Sequence, residues 1–316
     1  MDEEMSVMCL PGKCGGVRAL VLVSTVLLAA ACTSSPSASK DEEKAVGDTR
    51  PVPAPVGVSI TLPMDKYQLR GSALADVEAA VDREIEACMR RLGFTYRIDD
   101  EPASEWGVEE NRRYGIQDSA RAAVYGYHPI SVIHPPEEPS EVLSDRETAA
   151  LGGTDRKGRA LPKGTETDEG RVIPRGGCHR EADRRVRAPY DDAKGVSIAR
   201  SIDFEGFEES VEDSRVKKAF ADWSACMKVK GYTYESPLSV MGSAEFTQKQ
   251  VTSHERAVAQ RDVYCKKKID LVRRWNSVET EIQRDKISRN KSDLDRFYAL
   301  QTAKVSAARK VLNETG

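Results

Sequence analysis

A helix stop is written twice into this chain, each time with a cysteine one turn before it. Residues 87–97 read ACMRRLGFTYR and residues 225–235 read ACMKVKGYTYE. Upstream of Cys88, apolar residues recur at Leu74, Val77, Val81 and Ile85, in steps of three and four that share one helix face. Upstream of Cys226, Val216, Phe220 and Trp223 follow the same rhythm. Gly93 and Gly231 then end the two runs, because glycine takes the left-handed C′ conformation without a Cβ penalty. That register pairs Met89 with Phe94, and Met227 with Tyr232, across a Schellman cap. Each cysteine falls on the buried stripe. Tyr96 and Tyr234 leave the motif as amphipathic side chains suited to the edge of a core.

The N-terminus reads as an address. Lys13 and Arg18 precede the uncharged run Ala19 to Ala31. A basic region, a short apolar run and small residues at its end have the layout of a secretory signal peptide, residues 1–31. The run is shorter than the 20 or so residues a membrane span needs. Cys32 directly follows Ala29-Ala30-Ala31. This resembles the lipobox of bacterial lipoproteins, with Leu28 one place earlier than the family's usual leucine. The resemblance implies that the Cys32 thiol is diacylated and becomes the mature N-terminus; two acyl chains suffice for a stable anchor. With the repeated Cys-Met motif and the later DVYCKKKIDLV, the chain resembles actinobacterial-type lipoproteins, a likeness that implies a location and a cysteine pattern but no activity. Ala29-Ala30-Ala31 also fits ordinary secretion, the alternative. Residues 32–56, with Pro36, Pro51, Pro53 and Pro55, read as a flexible tether too poor in apolar residues to build a core.

Of the 7 cysteines, Cys9 and Cys14 leave with the signal peptide and Cys32 takes the anchor. Cys88, Cys178, Cys226 and Cys265 remain, an even number in an exported chain, and so are expected as disulfides. Four cysteines allow three pairings. A duplicated unit keeps its bridge internal, which selects Cys88–Cys178 and Cys226–Cys265. Zinc is the rival, but no CxxC spacing supports it. The expected fold is mainly α: two disulfide-stapled helical units, a long C-terminal helix or helical hairpin, and little β structure.

The first unit is placed at 57–207. It holds an extended segment at Val56–Leu62, a helix over Gly71–Leu92, and a helix over Asp118–Tyr125 with Asp118 as N-cap and Gly126 as stop. A long, polar, mobile loop follows near 135–177, with a short strand at Arg171–Pro174. A further helix opens at Cys178 and turns Ala182 and Val186 inward. The second unit is placed at 208–316. Cys265, Ile269, Val272, Trp275, Val278 and Ile282 form one stripe; Ile287, Leu294, Phe297, Val305, Ala308 and Leu312 form another. They predict one very long helix, or two with a break near Asp285, supported by the i,i+4 pairs Asp262–Lys266, Asp270–Arg274 and Asp285–Arg289. The second stripe either folds back or docks on a partner.

The net charge of −3 gives no sign of a nucleic-acid partner. From Glu245 to Gly316 there are 16 Lys/Arg against 10 Asp/Glu. Arg261, Lys266, Lys267, Lys268, Arg273 and Arg274 read as a solvated basic face, with anionic lipid or wall polymer as the alternative reading. His128 and His134 are the candidates for a metal, but their spacing matches no ligand motif, and no metal or cofactor is expected. His179 beside Cys178 makes no nucleophile when that sulfur is in a disulfide. His254 sits on a charged, solvated helix. Phosphate-loop, dinucleotide and hydrolase motifs are absent from the sequence, and no catalytic residue is assigned. The expected role is a membrane-anchored, extracytoplasmic binding or structural module of the cell envelope. Its partners would be the membrane, through the diacylglyceryl anchor, and an envelope protein or anionic wall polymer. The alternatives are an envelope hydrolase using carboxylates or the His128/His134 region, and an assembly partner docking through the C-terminal helix.

Overall fold

Both copies of the repeated motif end a helix. The computed structural model describes residues 60–98, 111–135, 143–248 and 250–314; the stretches expected as signal peptide and tether, and Cys32 with them, lie outside these residues. In chain order the helices are α1 (Ser72–Arg91), α2 (Ser119–Tyr125), α3 (Ile130–Ile133), α4 (Asp145–Gly152), α5 (Gly177–Val186), α6 (Ala193–Glu212), α7 (Ser214–Lys228), α8 (Pro237–Met241), α9 (Ser253–Lys268), α10 (Leu271–Arg289) and α11 (Lys291–Glu314). Among the described residues there is no β-strand, only the isolated bridges Thr154–Ala160 and Glu166–Val172.

At the end of α1 the Phe94 N–H donates to the Met89 carbonyl at 3.0 Å and the Gly93 N–H to the Arg90 carbonyl at 3.1 Å. These are the two bonds of a Schellman cap. After α7 the Tyr232 N–H reaches the Met227 carbonyl at 3.4 Å and the Gly231 N–H the Lys228 carbonyl at 2.9 Å. Gly93 and Gly231 stand at φ +93° and +82°. A Cβ on Gly231 would meet nothing within 4 Å, whereas one on Gly93 would lie 2.9 Å from Arg171 Nη1. Gly231→Ala therefore isolates the backbone penalty and is expected to cost about 1–2 kcal/mol. Chemical denaturation reads this directly, and an unchanged midpoint would mean the cap contributes nothing.

The disulfides are Cys88–Cys178, with Cα atoms 5.6 Å apart, and Cys226–Cys265, at 5.8 Å. Each lies in its own hydrophobic cluster. The first cluster joins Val77, Val81 and Ile85 of α1 to Ala182 and Val186 of α5. The second gathers Phe220 and Trp223 of α7, Val258 and Val263 of α9, and Trp275 of α10. The clusters do not follow the expected boundary at 207/208. Tyr114, Ile116 and Tyr127 belong to the second cluster, while Val305 and Ala308 of α11 complete the first. The described residues, from 60 to 314, fall within one compact unit. The physical reason is coverage: α5 hides only part of the stripe on α1, and α11 returns to hide the rest.

Further expectations change. The polar stretch near 135–177 contains α4, closed at its start by a capping box between Ser144 and Glu147, with Ala150 buried against α5. The strand expected at Arg171–Pro174 is only the bridge at Val172. The C-terminal region is three helices, not one or two. It breaks at Asp270, which takes φ +53°, a left-handed conformation that aspartate tolerates better than most residues. It breaks again at Asn290, not near Asp285. The stripe on α11 is taken up inside the chain: Leu294 and Phe297 pack with Met64, Tyr67 and Ile202. Leu74, expected on the inner face of α1, is 38% exposed.

Candidate functional site

The chemistry-bearing side chains gather where residues 111–134, here called the strap, lie across α9 and α10. Asp118 caps α2 by accepting from the Ala120 and Arg121 N–H groups at 2.7 and 3.0 Å. This short helix packs on α9 and so sets the depth of the strap. Three carboxylates meet it from below: Glu255, Asp262 and Glu279, each no more than 1% exposed.

Asp262 is the centre of the seam. Its Oδ1 accepts from Trp223 Nε1 at 2.9 Å. Its Oδ2 accepts from Lys266 Nζ at 2.9 Å and from the Tyr127 hydroxyl at 3.3 Å. Lys266 also donates to the Ile116 carbonyl at 3.1 Å, tying the strap to α9. Burial raises the Asp262 carboxyl above its usual range, while the Lys266 ammonium and the hydrogen bonds pull it back. Burial, then the charge of Asp262, pushes the Tyr127 phenol far above its usual range, so it is a donor here.

Glu279 repeats the arrangement on α10. Arg113 Nε lies 2.8 Å from its Oε1, Tyr114 donates to its Oε2 at 2.8 Å, and Gln283 Nε2 donates to Oε1 at 2.9 Å. Gln283 in turn accepts from the Met64 N–H at 3.1 Å. Burial lowers the Arg113 guanidinium, but the hydrogen bond and charge of Glu279 outweigh it and hold it above its ordinary value. Burial, and then Glu279, raise the Tyr114 phenol. Both oxygens of Asp262 and of Glu279 are therefore engaged by donors of the same chain, and the chemistry of the seam is to hold the strap down.

His128 closes the strap. Its Nδ1 lies 2.9 Å from Glu255 Oε1 and its Nε2 2.7 Å from the Gln248 carbonyl, and the Tyr127 N–H donates to the same Glu255 oxygen at 2.8 Å. Both ring nitrogens are thus committed to protein oxygens. His134 meets the edge of the Tyr125 ring, with centroids 5.9 Å apart. Among the described residues no group of three or more His, Cys, Asp or Glu side chains is placed to hold a metal ion.

The residues expected on a basic face disperse. Lys266 is buried in the seam, which overturns its reading as a solvated side chain. Arg274 pairs with Asp222 and Arg273 with Asp270. Arg261 donates to the Cys226 carbonyl at 2.7 Å. Lys267 and Lys268 remain exposed. His254 is exposed and lies 3.7 Å from Glu245. Tyr96 and Tyr234 sit half-buried at the edges of the two clusters. The seam itself has a sequence signal: Glu255, Asp262 and Lys266 fall in phase with Val258, Ala259 and Cys265, and Glu279 and Gln283 in phase with Val272 and Trp275.

Two open depressions of about 520 and 280 Å³ line the outer side of α6, the larger beside Asp191, Asp192 and Arg200, the smaller beside Ser201, Glu205 and Lys286. None of the seam carboxylates lines them. Comparison with protein-family models, curated proteins and solved structures finds no match for the chain.

Proposed function

We propose that this chain is a lipid-anchored, extracytoplasmic module of the cell envelope, acting by binding or scaffolding. The observation that carries the reading is the pairing of Cys88, Cys178, Cys226 and Cys265 into two buried disulfides. Structural disulfides persist in oxidising compartments. The Ala29-Ala30-Ala31-Cys32 sequence supplies the matching address. The seam supports a scaffold over a hydrolase, because the carboxylates of Asp262 and Glu279 and the imidazole of His128 are already occupied by partners within the chain. The reading of α11 as a docking helix loses its basis, since its stripe covers α1 and α6.

The test is the intact mass of the native protein from the membrane fraction, without reduction and with peptide mapping. The expected product starts at Cys32, carries two acyl chains on its sulfur-linked glyceride, and holds both bridges. Cys32→Ser is expected to release the protein from the membrane. A chain cleaved after Ala31 without lipid would make it a secreted protein. An uncleaved chain in which Cys88, Cys178, Cys226 and Cys265 are all free thiols would overturn the proposal.

A further inference from the structure

We propose that the folded domain lies against an anionic lipid surface through the face beside the Cys226–Cys265 bridge, where α7 ends and the outer side of α9 passes. The inference builds on the membrane-anchored reading, but it concerns the folded surface and has its own test.

Two apolar side chains stand out of this face: Val229 is 74% exposed and Tyr264 51%. Single exposed apolar residues are ordinary. Here they are held together and framed by cations. The bridge fixes the end of α7 on α9, and Arg261 donates from α9 to the carbonyl of Cys226. The Arg261 guanidinium also lies 4.6 Å from the centroid of the Tyr264 ring. Val229 follows Cys226 by less than one turn, at the C-cap of α7. Lys228 and Lys230 flank it, and Lys267 and Lys268 follow Tyr264 on α9; all four are exposed. Among the described residues none of these four lysines has a carboxylate within ion-pair distance. The carboxylates at the margins are engaged: Asp222 by Lys218 and Arg274, Asp270 by Arg273. Between Trp223 and Ala244 the sequence holds one acidic residue, Glu235.

The combination selects a lipid surface. Lysine stems lie along an apolar boundary while their ammonium groups reach the headgroups. A tyrosine suits the same boundary, with its ring in the apolar side and its hydroxyl in the polar one. A polyanion in solution would satisfy the lysines and leave Val229 and Tyr264 in water. The stretch from Cys32 to Ile60 reaches at most about 100 Å when extended, so the anchor brings the domain near the surface without choosing a face. The lysines and the apolar pair would make that choice.

The experiment uses the mature full chain with Cys32→Ser, which removes the anchor and leaves the fold. Sedimentation with phosphatidylcholine vesicles, with and without phosphatidylglycerol, is expected to show binding to the anionic vesicles alone, weakening as salt rises. Each lysine of the four changed to glutamine is expected to lower partitioning about fivefold. Lys157→Gln and Lys163→Gln, exposed near the Thr154–Ala160 bridge, are expected to change it little. Val229→Trp adds an indole to the exposed face, and its emission should shift to the blue on anionic vesicles. Equal binding to neutral vesicles, no binding to either, or lysine variants that bind unchanged would overturn the proposal. Binding to a soluble polyphosphate with no blue shift on vesicles would assign the face to an anionic polymer and also overturn it. Because the anchor is absent, failure here is distinct from failure of the lipidation test, which reads Cys32 alone.

Discussion

Changing both Cys88 and Cys178 to alanine is expected to lower the unfolding free energy by about 4–5 kcal/mol. The bridge closes a loop of sequence separation 90, and the chain-entropy relation gives a value of this size for such a loop. The cost should be felt beyond the bridge. Cys88 and Cys178 are buried in the cluster that joins α1, α5 and α11, so their loss loosens the site where the C-terminal helix returns. The matching change at Cys226 and Cys265, separated by 39 residues, is expected to cost about 0.7 kcal/mol less on chain entropy alone. Urea unfolding of the two double variants, followed by circular dichroism, gives both values. A loss below about 1 kcal/mol for the first pair would mean that packing of α1 on α5 and α11 already fixes the geometry, and that the bridge is dispensable.

The second large effect lies at Asp262. Asp262→Ala strands the Lys266 ammonium, whose side chain is 2% exposed, and leaves it the neutral Ile116 carbonyl as acceptor. Removing one member of a buried ion pair costs about 3–5 kcal/mol, because the other charge stays desolvated without compensation. Asp262→Leu combined with Lys266→Met should recover the part due to the stranded charge. It leaves the Trp223 N–H and the Tyr127 hydroxyl without their acceptor, each worth about 1–3 kcal/mol if it finds no other. The double variant is therefore expected to be more stable than Asp262→Ala but less stable than the native chain. If Asp262→Ala unfolds no earlier than the double variant, the buried ammonium is not what makes the seam costly to break.

Much of the fold is legible in the residues themselves, because caps and stripes are local. Gly93 and Gly231 mark helix ends by a conformation that only their own backbone needs. Asp118 caps α2 with its own carboxylate. The bridge pairing follows from the internal repeat. Helix α6 is not legible for a physical reason: its buried face is Ala199, Gly206 and Ser210 around Ile202, small residues that let α10 and α11 approach closely but make no apolar stripe. Helix α4 has a single buried residue, Ala150, and so carries no periodic signal either. The seam is half legible. Asp262 and Lys266 show as an i,i+4 pair, but the same spacing serves a solvated pair and a buried one. Their phase with Val258 and Cys265 points inward; the strap that buries them comes from more than a hundred residues earlier in the chain.

The sequence by itself determined where most helices run, where α1 and α7 stop, and which cysteines join, since each depends on residues within a few turns or on a motif repeated in full. Only the tertiary structure decided what covers each stripe. It placed α11 on α1, carried the 111–134 strap onto α9 and α10, and turned Lys266 from a surface cation into a buried partner of Asp262. Burial of a charge is a property of everything packed around it, and that surrounding is assembled from distant segments whose order along the chain does not announce their neighbours.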